Sequence, residues 1–301
     1  MTAVTVADAE LAEVWRFAPM EVFGPLRDRD LPDVQAMQLV DGDDVTFTND
    51  GTDAAMKVEV ADGAHARLVI DLIGSDAGTL KCEIVTGRDS TLKCVFLGEL
   101  EAQGVRLVEV QLRPGAASSV QCSSVALSGR AYRHDVQVML DAPGAQVELL
   151  GLSFGADQDY LEQRLRVEHA AAHARSNIVY KSVASDDAHL VWVGDVMVRP
   201  EGVGADTYEM NRNLVLSRTA RVDSVPNLEL ETGEVVRAGH ASATGRFDDE
   251  QLFYLQSRGI PADIARRMVV EGFVAELIPL MGLGEHESRI ARTIERRLES
   301  V

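Results

Sequence analysis

The sequence contains little cysteine. Cys82, Cys94 and Cys122 are the three cysteines among its 301 residues, and none belongs to a Cys-x-x-Cys pair. An odd and sparse set argues against a disulfide framework and against a structural zinc ribbon. All three lie in segments that look like strands, where a buried structural thiol is the usual role. We therefore expect a reducing compartment and predict a cytoplasmic protein.

The sequence is also poor in positive charge. Lysine and arginine number 29 against 48 aspartates and glutamates, which gives a formal charge of −19. A field of this sign repels phosphate backbones and anionic lipid headgroups. We therefore expect neither nucleic acid nor a membrane surface among the partners of this protein.

Long apolar runs are missing as well. The first ten residues, MTAVTVADAE, have no cationic start and no apolar stretch of the kind that a signal peptide needs. The most apolar late stretch, from Met268 to Gly284, is interrupted by Glu271 and Glu276. The sequence thus predicts no signal peptide and no membrane-spanning segment.

Several signatures of catalysis are absent. The sequence has no Walker lysine loop, no Gly-x-Gly-x-x-Gly that opens a helix and no His-Glu-x-x-His. Aromatic residues make up 5% of the chain, and Trp15 and Trp192 are its two tryptophans. We therefore expect a protein that is not an enzyme, with a polysaccharide-active β-solenoid as a remote alternative.

Short runs rich in valine, leucine and threonine fill the chain from about Leu39 to Thr244. Such runs, separated by glycine and aspartate, are typical of strands. No helical pattern of about 10–15 residues separates them, which excludes a doubly wound α/β fold and predicts an all-β region. Ten runs stand out: Arg67–Ile73, Leu80–Val85, Leu92–Leu97, Val105–Leu112, Val136–Leu140, Val147–Leu152, Asn177–Val183, Leu190–Val198, Asn213–Ser217 and Glu234–Arg237.

A small residue after a turn precedes many of these runs, as in Gly115-Ala116, Gly144-Ala145 and His173-Ala174. The steps from 116 to 145 and from 145 to 174 are 29 residues, but Ala188 follows only 14 residues later. A repeat of this length suggests a β-solenoid, whose coils stack about 4.8 Å apart around a narrow aliphatic core. Because the period is irregular, a sandwich or a barrel stays open on this pattern alone.

From Arg246 onward the apolar spacing becomes helical. Asp248 or Asp249 can cap a first helix that Gly259 ends, and Pro261 can open a second. The apolar faces predict a second and a third helix, with Ile264, Met268, Phe273, Leu277 and Leu280 on one and Ile290, Ile294 and Leu298 on the other.

The chain accordingly divides into three parts. Residues 1–38 form an N-terminal lead-in segment, with a short amphipathic helix over Ala7–Phe17 followed by Pro19, Pro25 and Pro32. Residues 39–245 form the β core, and residues 246–301 form a small helical domain.

Two sets of histidines are candidates for a functional role. His169 and His173 stand four apart, but the residues before His169 alternate as in a strand, where positions i and i+4 lie about 13 Å apart. We therefore expect structural hydrogen bonds there rather than a metal pair. His240 lies among small residues where the β core gives way to helices, so its imidazole is accessible to a ligand or a proton, unless it caps a strand at a turn.

The segment from Arg212 to Pro261 resembles the C-terminal signature of the SufB/SufD family, and that of SufD more than that of SufB. The resemblance rests on Asn213-Leu214, on Asp223 with Pro226-x-Leu228-Glu229, on His240 with Ala243-Thr244-Gly245, and on Leu252-Phe253-Tyr254-Leu255 with Ser257-Arg258-Gly259-Ile260. Upstream, His169 to Val183 and Glu13-x-Trp15-Arg16-x-x-Pro19 are similar to further motifs of the family.

This resemblance implies a right-handed parallel β-helix core with a small C-terminal helical domain. It implies a non-catalytic scaffold subunit of the SUF machinery for iron–sulfur cluster assembly, which pairs with SufB through the β-helix and docks the SufC ATPase through the helices. A SufB/SufD-like homodimer that acts without a distinct SufB is the alternative. The docking residues implied are Leu252, Phe253, Tyr254, Arg258, Ile264, Met268 and Phe273.

The resemblance also places His240 at the assembly interface, as a candidate ligand of iron or of a nascent cluster shared with SufB. SufD sequences often carry cysteine two residues before this histidine, and here that position is Ala238. The residue after it is Ala241, where SufD often has glycine and SufB glutamate. We therefore expect no cluster or other cofactor to be held stably by this chain alone.

Overall fold

A computed structural model describes residues 13–246 and 249–299, and of residues 249–252 and 263 it describes the backbone. Its core is a β-solenoid of sixteen strands in two sheets, and every strand pair is parallel. The strands run from Gln35 to Arg246. The fold predicted from the sequence, a parallel solenoid followed by helices, is therefore confirmed.

Successive strands alternate between the two sheets, so that each coil gives one strand to each. The odd sheet contains β1 (Gln35–Leu39), β3 (Ala54–Val60), β5 (Ala77–Thr86), β7 (Val105–Arg113), β9 (Ala131–Leu140), β11 (Tyr160–His169), β13 (His189–Val198) and β15 (Arg221–Leu230). The even sheet contains β2 (Asp44–Asn49), β4 (His65–Leu72), β6 (Thr91–Glu99), β8 (Ser119–Ser128), β10 (Gln146–Gly155), β12 (Arg175–Ala184), β14 (Asp206–Val215) and β16 (Arg237–Arg246).

The coils lengthen along the chain. Side chains that bond from one coil to the next are 23 residues apart at Arg67 and Asp44, 29 apart at Arg133 and Glu162, and 31 apart at Arg175 and Asp206. This drift explains why the sequence shows a repeat near 29 residues without a strict period.

A ladder of left-handed turns precedes the even strands. Its residues have φ between 54° and 73°, and each is followed by a small buried residue; the pairs are Gly63-Ala64, Asp89-Ser90, Ala117-Ser118, Gly144-Ala145, His173-Ala174 and Gly204-Ala205. Glycine and aspartate tolerate this conformation, and a small side chain fits the tight corner. Ala188 belongs to the turns of the other sheet, so the step of 14 residues from Ala174 is half a coil.

The interior between the sheets is mostly aliphatic in the first coils, as the low aromatic content suggested. Leucine, valine, isoleucine and alanine from both sheets form one continuous cluster. Cys82, Cys94 and Cys122 are free thiols inside it, and Cys94 and Cys122 are register partners. Burial raises the pKa of the Cys82 thiol to about 12. All three cysteines are buried core residues, as predicted.

Three α-helices follow the solenoid: α2 (Asp249–Ser257), α3 (Ala262–Ala275) and α4 (Glu287–Glu299), with short 3-10 turns at Ile278–Leu280 and Gly284–His286. The second helix, expected to continue to Leu280, ends at Ala275. Pro279 explains the difference, because a proline ring clashes with the carbonyl four residues earlier. The Asp248 cap and most of the helix predicted over Ala7–Phe17 lie outside the described residues. None of the described helices is long and apolar enough to cross a membrane.

The helices α3 and α4 pack on the outer face of the even sheet. Val270, Val274 and Leu277 on one side and Ile290, Ile294 and Leu298 on the other join the outward valines and leucines of β6, β8 and β10 in one buried cluster. Polar contacts fix the arrangement: Arg289 pairs with Asp71 at 2.6 Å, and Lys181 Nζ donates to the carbonyl of Phe273 at 2.6 Å. The helix α2 packs mainly against α3.

The N-terminal segment covers part of the odd sheet. The helix α1 (Met20–Arg27) buries Phe23 and Leu26 against the outward side chains of β7, β9, β11 and β13. The Arg133 guanidinium lies 4.1 Å from the Trp15 ring and donates to the carbonyl of Val14 at 3.0 Å. Both contacts hold the segment against the solenoid.

Candidate functional site

The last coil of the solenoid is open. The strands β15 and β16 each have a paired neighbour on one side only among the described residues, β13 and β14 respectively. Their residues are half-buried or exposed along the whole length of both strands. Two adjacent ten-residue edges therefore present free backbone N–H and C=O groups at the same end of the molecule.

Of the two edges, β16 carries few of the features that natural proteins use to prevent strand pairing, whereas β15 carries several. Between Arg237 and Arg246, β16 consists of small and polar residues without charge or proline, whereas β15 has Pro226 at its middle. Three apolar side chains at the adjoining corner are exposed as well, namely Val203, Leu230 and Val236. An edge of this kind is typical of a strand-pairing interface.

His240 lies on this open edge. Its side chain is exposed on β16, and its register partner on β14 is Glu209. It borders a groove of about 660 Å³ whose polar lining includes Arg166, Asp195 and Asn227. Asn227 Nδ2 donates to Asp195 Oδ1 at 2.6 Å, which ties β15 to β13 below it. The imidazole is therefore accessible at the end of the solenoid, as its small neighbours in the sequence indicated.

Glu209 is a buried carboxyl that sequence reasoning missed. Its side chain is 1% exposed, and neither of its oxygens has a hydrogen-bond partner among the described residues. Gly194 makes room for it, because a Cβ there would lie 2.3 Å from Oε2. Burial, and then the charge of Asp195, raise the pKa of Glu209 to about 8. At neutral pH the group is mostly a neutral acid.

The core beneath the open edge is polar. Asn213 Nδ2 donates to Asn211 Oδ1 at 2.6 Å and to the Thr244 hydroxyl at 3.1 Å. The Ser224 hydroxyl donates to Asn211 Oδ1 at 2.7 Å and lies 2.8 Å from that of Ser242. These bonds connect β14, β15 and β16 at the end of the solenoid.

The described residues bring no second soft ligand to His240. Cys122 on β8 is the nearest cysteine along the even sheet, and β10, β12 and β14 separate it from β16. Four strand spacings amount to about 19 Å. No group of three or more histidine, cysteine, aspartate or glutamate side chains arranged to hold a metal occurs in the described part of the chain. Further ligands of a cluster at His240 would have to come from another chain.

The residues predicted to dock an ATPase fall into two groups. Phe253 and Tyr254 on α2 and Ile264 and Met268 on α3 are exposed apolar side chains. Arg258 joins them, with its guanidinium 5.1 Å from the centre of the Tyr254 ring. The side chain of Leu252 lies outside the described residues.

Phe273 belongs to a different environment. It packs partly against the solenoid, and Lys181 Nζ lies 5.0 Å from its ring centre. The sequence placed Ile264, Met268 and Phe273 on one apolar face, but the even sheet covers the face that carries Val270 and Val274 instead. Ile264 and Met268 are thereby left to solvent.

His169 and His173 do not form a metal pair. His169 ends β11 in the core, where its Nε2 lies 2.8 Å from the Ser176 hydroxyl, and burial lowers its pKa to about 4. His173 occupies the next turn with φ of 60°. The two are therefore not on one strand, and His169 makes the structural hydrogen bond that was expected.

One catalytic pattern in the sequence has no catalytic setting. Residues Gly151 to Gly155 have the spacing Gly-x-Ser-x-Gly of a hydrolase nucleophile elbow, which places its serine at a sharp strand-to-helix turn. Here the five residues lie within β10, and Ser153 is buried. The pattern therefore gives no nucleophile.

Comparison with known proteins identifies the group to which this end-open solenoid belongs. A family model described as "SUF system FeS cluster assembly, SufBD core domain" matches residues 46–273. The chain belongs to the SufB/SufD family. It is 42% identical over 273 residues to an iron–sulfur cluster assembly SufBD family protein of Mycobacterium bovis, covering 87% of this chain and 69% of that protein.

Two further relatives place the chain within the family. A SufBD family protein of Mycobacterium leprae is 42% identical over 250 residues, or 81% of this chain and 64% of the relative. The iron–sulfur cluster assembly protein SufD of Escherichia coli is 31% identical over 154 residues, or 51% of this chain and 36% of its own length. The chain is thus SufD-like, and a role in iron–sulfur cluster assembly follows from this similarity.

Proposed function

We propose that this chain is a non-catalytic scaffold subunit of iron–sulfur cluster assembly whose open solenoid end pairs with a SufB-like solenoid. The observation that carries the proposal is the pair of adjacent open edges at one end of the molecule, β15 and β16, of which β16 has no charge or proline between its terminal arginines. Strand addition at both edges would satisfy their backbone groups and cover the exposed Leu230 and Val236. A second copy of this chain is the alternative occupant.

In this proposal His240 contributes an imidazole to the shared site. Neutral imidazole is a common ligand of iron, and a thiolate from the paired subunit would complete the set. The nascent cluster is then cargo that forms between subunits. This chain supplies position and one ligand, and it needs no nucleophile or resident cofactor of its own.

The role of His240 can be tested in cells. We expect His240→Ala to fail to restore iron–sulfur enzyme activity in a strain that lacks its SufD-like protein, while the complex keeps its size. His65→Ala is the matched control, because His65 is also exposed but lies on β4 near the other end of the solenoid. Full restoration by His240→Ala would show that the imidazole is not required.

We further propose that α2 and the outer face of α3 dock a SufC-like ABC ATPase. Phe253 is 71% exposed and Met268 is 46% exposed. They remain exposed although α2 packs against α3 and α3 packs on the even sheet. Apolar side chains exposed together on one helical hairpin are typical of a partner surface.

A charge on this surface should remove docking without harming the fold. We expect Met268→Asp to abolish co-purification of the ATPase, with the thermal unfolding temperature nearly unchanged. Met139→Asp makes the same change at a methionine of similar exposure on the odd sheet and should leave docking intact. Equal recovery of the ATPase with both variants would exclude this surface.

The polysaccharide alternative gains no support from the surface. Trp15 and Trp192 are both buried, so neither offers a ring on which a sugar could stack. No observation favours this function over the scaffold.

A further inference from the structure

In the last four coils polar side chains enter the interior beside the aliphatic cluster. On the odd sheet His134, Gln163, Trp192 and Ser224 are successive register partners on β9, β11, β13 and β15. On the even sheet Tyr180, Asn211 and Ser242 are successive partners that face them from β12, β14 and β16. Because neighbouring strands lie about 4.8 Å apart, these side chains form two continuous columns that end at the open edge.

Both ends of the columns are hydrogen-bonded. At the inner end, His134 Nδ1 lies 2.8 Å from the Ser124 hydroxyl and 3.3 Å from Gln163 Oε1. At the outer end, Ser224 bonds to Asn211 and to Ser242, and Ser242 is exposed. The two networks do not meet directly.

Between the two networks lie buried polar atoms without partners. Gln163 Nε2, Trp192 Nε1 and Asn211 Nδ2 are donors, and the carboxyl of Glu209, mostly protonated at neutral pH, offers an O–H donor and an acceptor oxygen; none of these groups has a partner among the described residues. All four side chains are at most 2% exposed. In a dry core each such group would destabilise the fold, because the hydrogen bond that it makes to water in the unfolded chain would not be replaced. Gln163 and Trp192 lie on the paired strands β11 and β13, and Glu209 and Asn211 lie on β14. The destabilisation would therefore be concentrated in one short stretch of the core.

Water removes this penalty. A buried water typically makes two to four hydrogen bonds, so waters among these donors and the Glu209 carboxyl would satisfy several of them at once. We propose that a file of water molecules occupies the core between Gln163 and Asn211 and opens to solvent at Ser242, beside His240.

Such a file gives the solenoid an internal route for protons. Water molecules and the groups that bond them pass protons along a chain without any side chain leaving its place. The route would connect the buried His134 with the face that carries His240. Pairing of another solenoid at β15 and β16 would close its outer end.

The indole N–H of Trp192 reports directly on this water. The chain has two tryptophans, and Trp15 lies on the outer face of the odd sheet, so the Trp192 signal can be assigned in the isolated full chain by Trp192→Phe. We expect nuclear Overhauser cross-peaks between this proton and long-lived water. We also expect its deuterium exchange to be at least about tenfold faster than that of the β13 backbone amides. No cross-peak together with exchange at the rate of those amides would overturn the proposal.

Two substitutions test where the file opens. Asn211→Leu replaces a polar group between Trp192 and Ser242, and we expect it to slow exchange at the indole by about tenfold. Gln163→Met removes a polar group on the inner side, and the indole exchange should stay as in the wild type. An unchanged rate with Asn211→Leu, or the larger effect with Gln163→Met, would contradict an opening at Ser242. The wild-type measurement decides the presence of water even if a variant fails to fold.

Discussion

At the scale of single residues, Glu209 is the group whose behaviour departs most from what the sequence suggests. Its carboxyl is buried in the core of β14, with Asp195 as a nearby like charge on β13 and His240 as its register partner on β16. A pKa of about 8 means that the folded protein holds a proton that the unfolded chain releases near pH 4.5. Folding is therefore linked to pH through this group.

The sign of this linkage gives a prediction for the isolated chain. Between about pH 5 and pH 8 the free energy of unfolding of the wild type should fall relative to Glu209→Gln by about 1.4 kcal/mol per pH unit. The stability is full below the unfolded pKa and is lost as pH rises through the folded pKa. Urea unfolding of both proteins across this range measures the difference. Parallel curves would mean that Glu209 titrates normally and is not buried as described.

The two residues that matter most at the open end differ in how well a sequence reveals them. His240 stands in a segment of small residues within a recognisable motif, so both its accessibility and its interest could be predicted. Glu209 stands in a strand of mixed polar residues, where nothing local says which side chains face inward. Its importance appears only once Gly194 on the opposite sheet is seen to make room for it.

At the scale of elements, the docking of the helices on the even sheet separates two leucines that are close in sequence. Leu277 is 1% exposed in the cluster that joins α3 to the solenoid, whereas Leu280 is 59% exposed in the following 3-10 turn. We expect Leu277→Ala to lower the free energy of unfolding by about 2–5 kcal/mol. Leu280→Ala should change it by no more than about 0.5 kcal/mol.

Chemical denaturation of the two variants checks this pair. A similar loss of stability in both would indicate that the helices do not lie on the sheet as described. An unaffected Leu277→Ala would show that the helical region contributes little to the folded core.

Eight of the ten strands predicted from the sequence coincide with strands of the solenoid; Asn213–Ser217 overlaps only the end of β14, and Glu234–Arg237 lies mostly in the turn before β16. The strands that were missed include β8 and β16, which are rich in serine, alanine and glycine. Such sequences have little preference for extended structure. Parallel pairing with β6, β10 and β14 supplies what local preference does not.

The sequence reveals the repeat of the coils only in part. The small residues of the turns are visible in the sequence, but two interleaved ladders of turns and coils of growing length hide the period. The end of α3 could have been predicted from the sequence, because Pro279 lies four residues after Ala275, the last residue of the helix.

At the scale of the whole molecule, the features gather at one end. The open edges, His240 and the start of the helical region lie at or beyond the last coil and the polar side chains of the core lie in the last four coils, whereas the buried cysteines lie in earlier coils. The net charge of −19 is spread over a surface that suits protein partners better than nucleic acid. In the proposal above, a second chain covers the open end of the solenoid.

The most direct test is to size the complex that this chain forms. Tagged protein co-expressed with SufB-like and SufC-like proteins of the same organism should be purified as one complex that contains all three. Light scattering then measures the mass of this complex. Ser242→Lys places a charge on the open end. This charge is solvated in the free chain but would be buried in a pair, so the SufB-like subunit should be missing from the purified complex. Gln158→Lys, an equal change at an exposed turn, should not. A homodimer indifferent to the SufB-like protein, or a complex that tolerates Ser242→Lys, would contradict pairing through the open end of the solenoid.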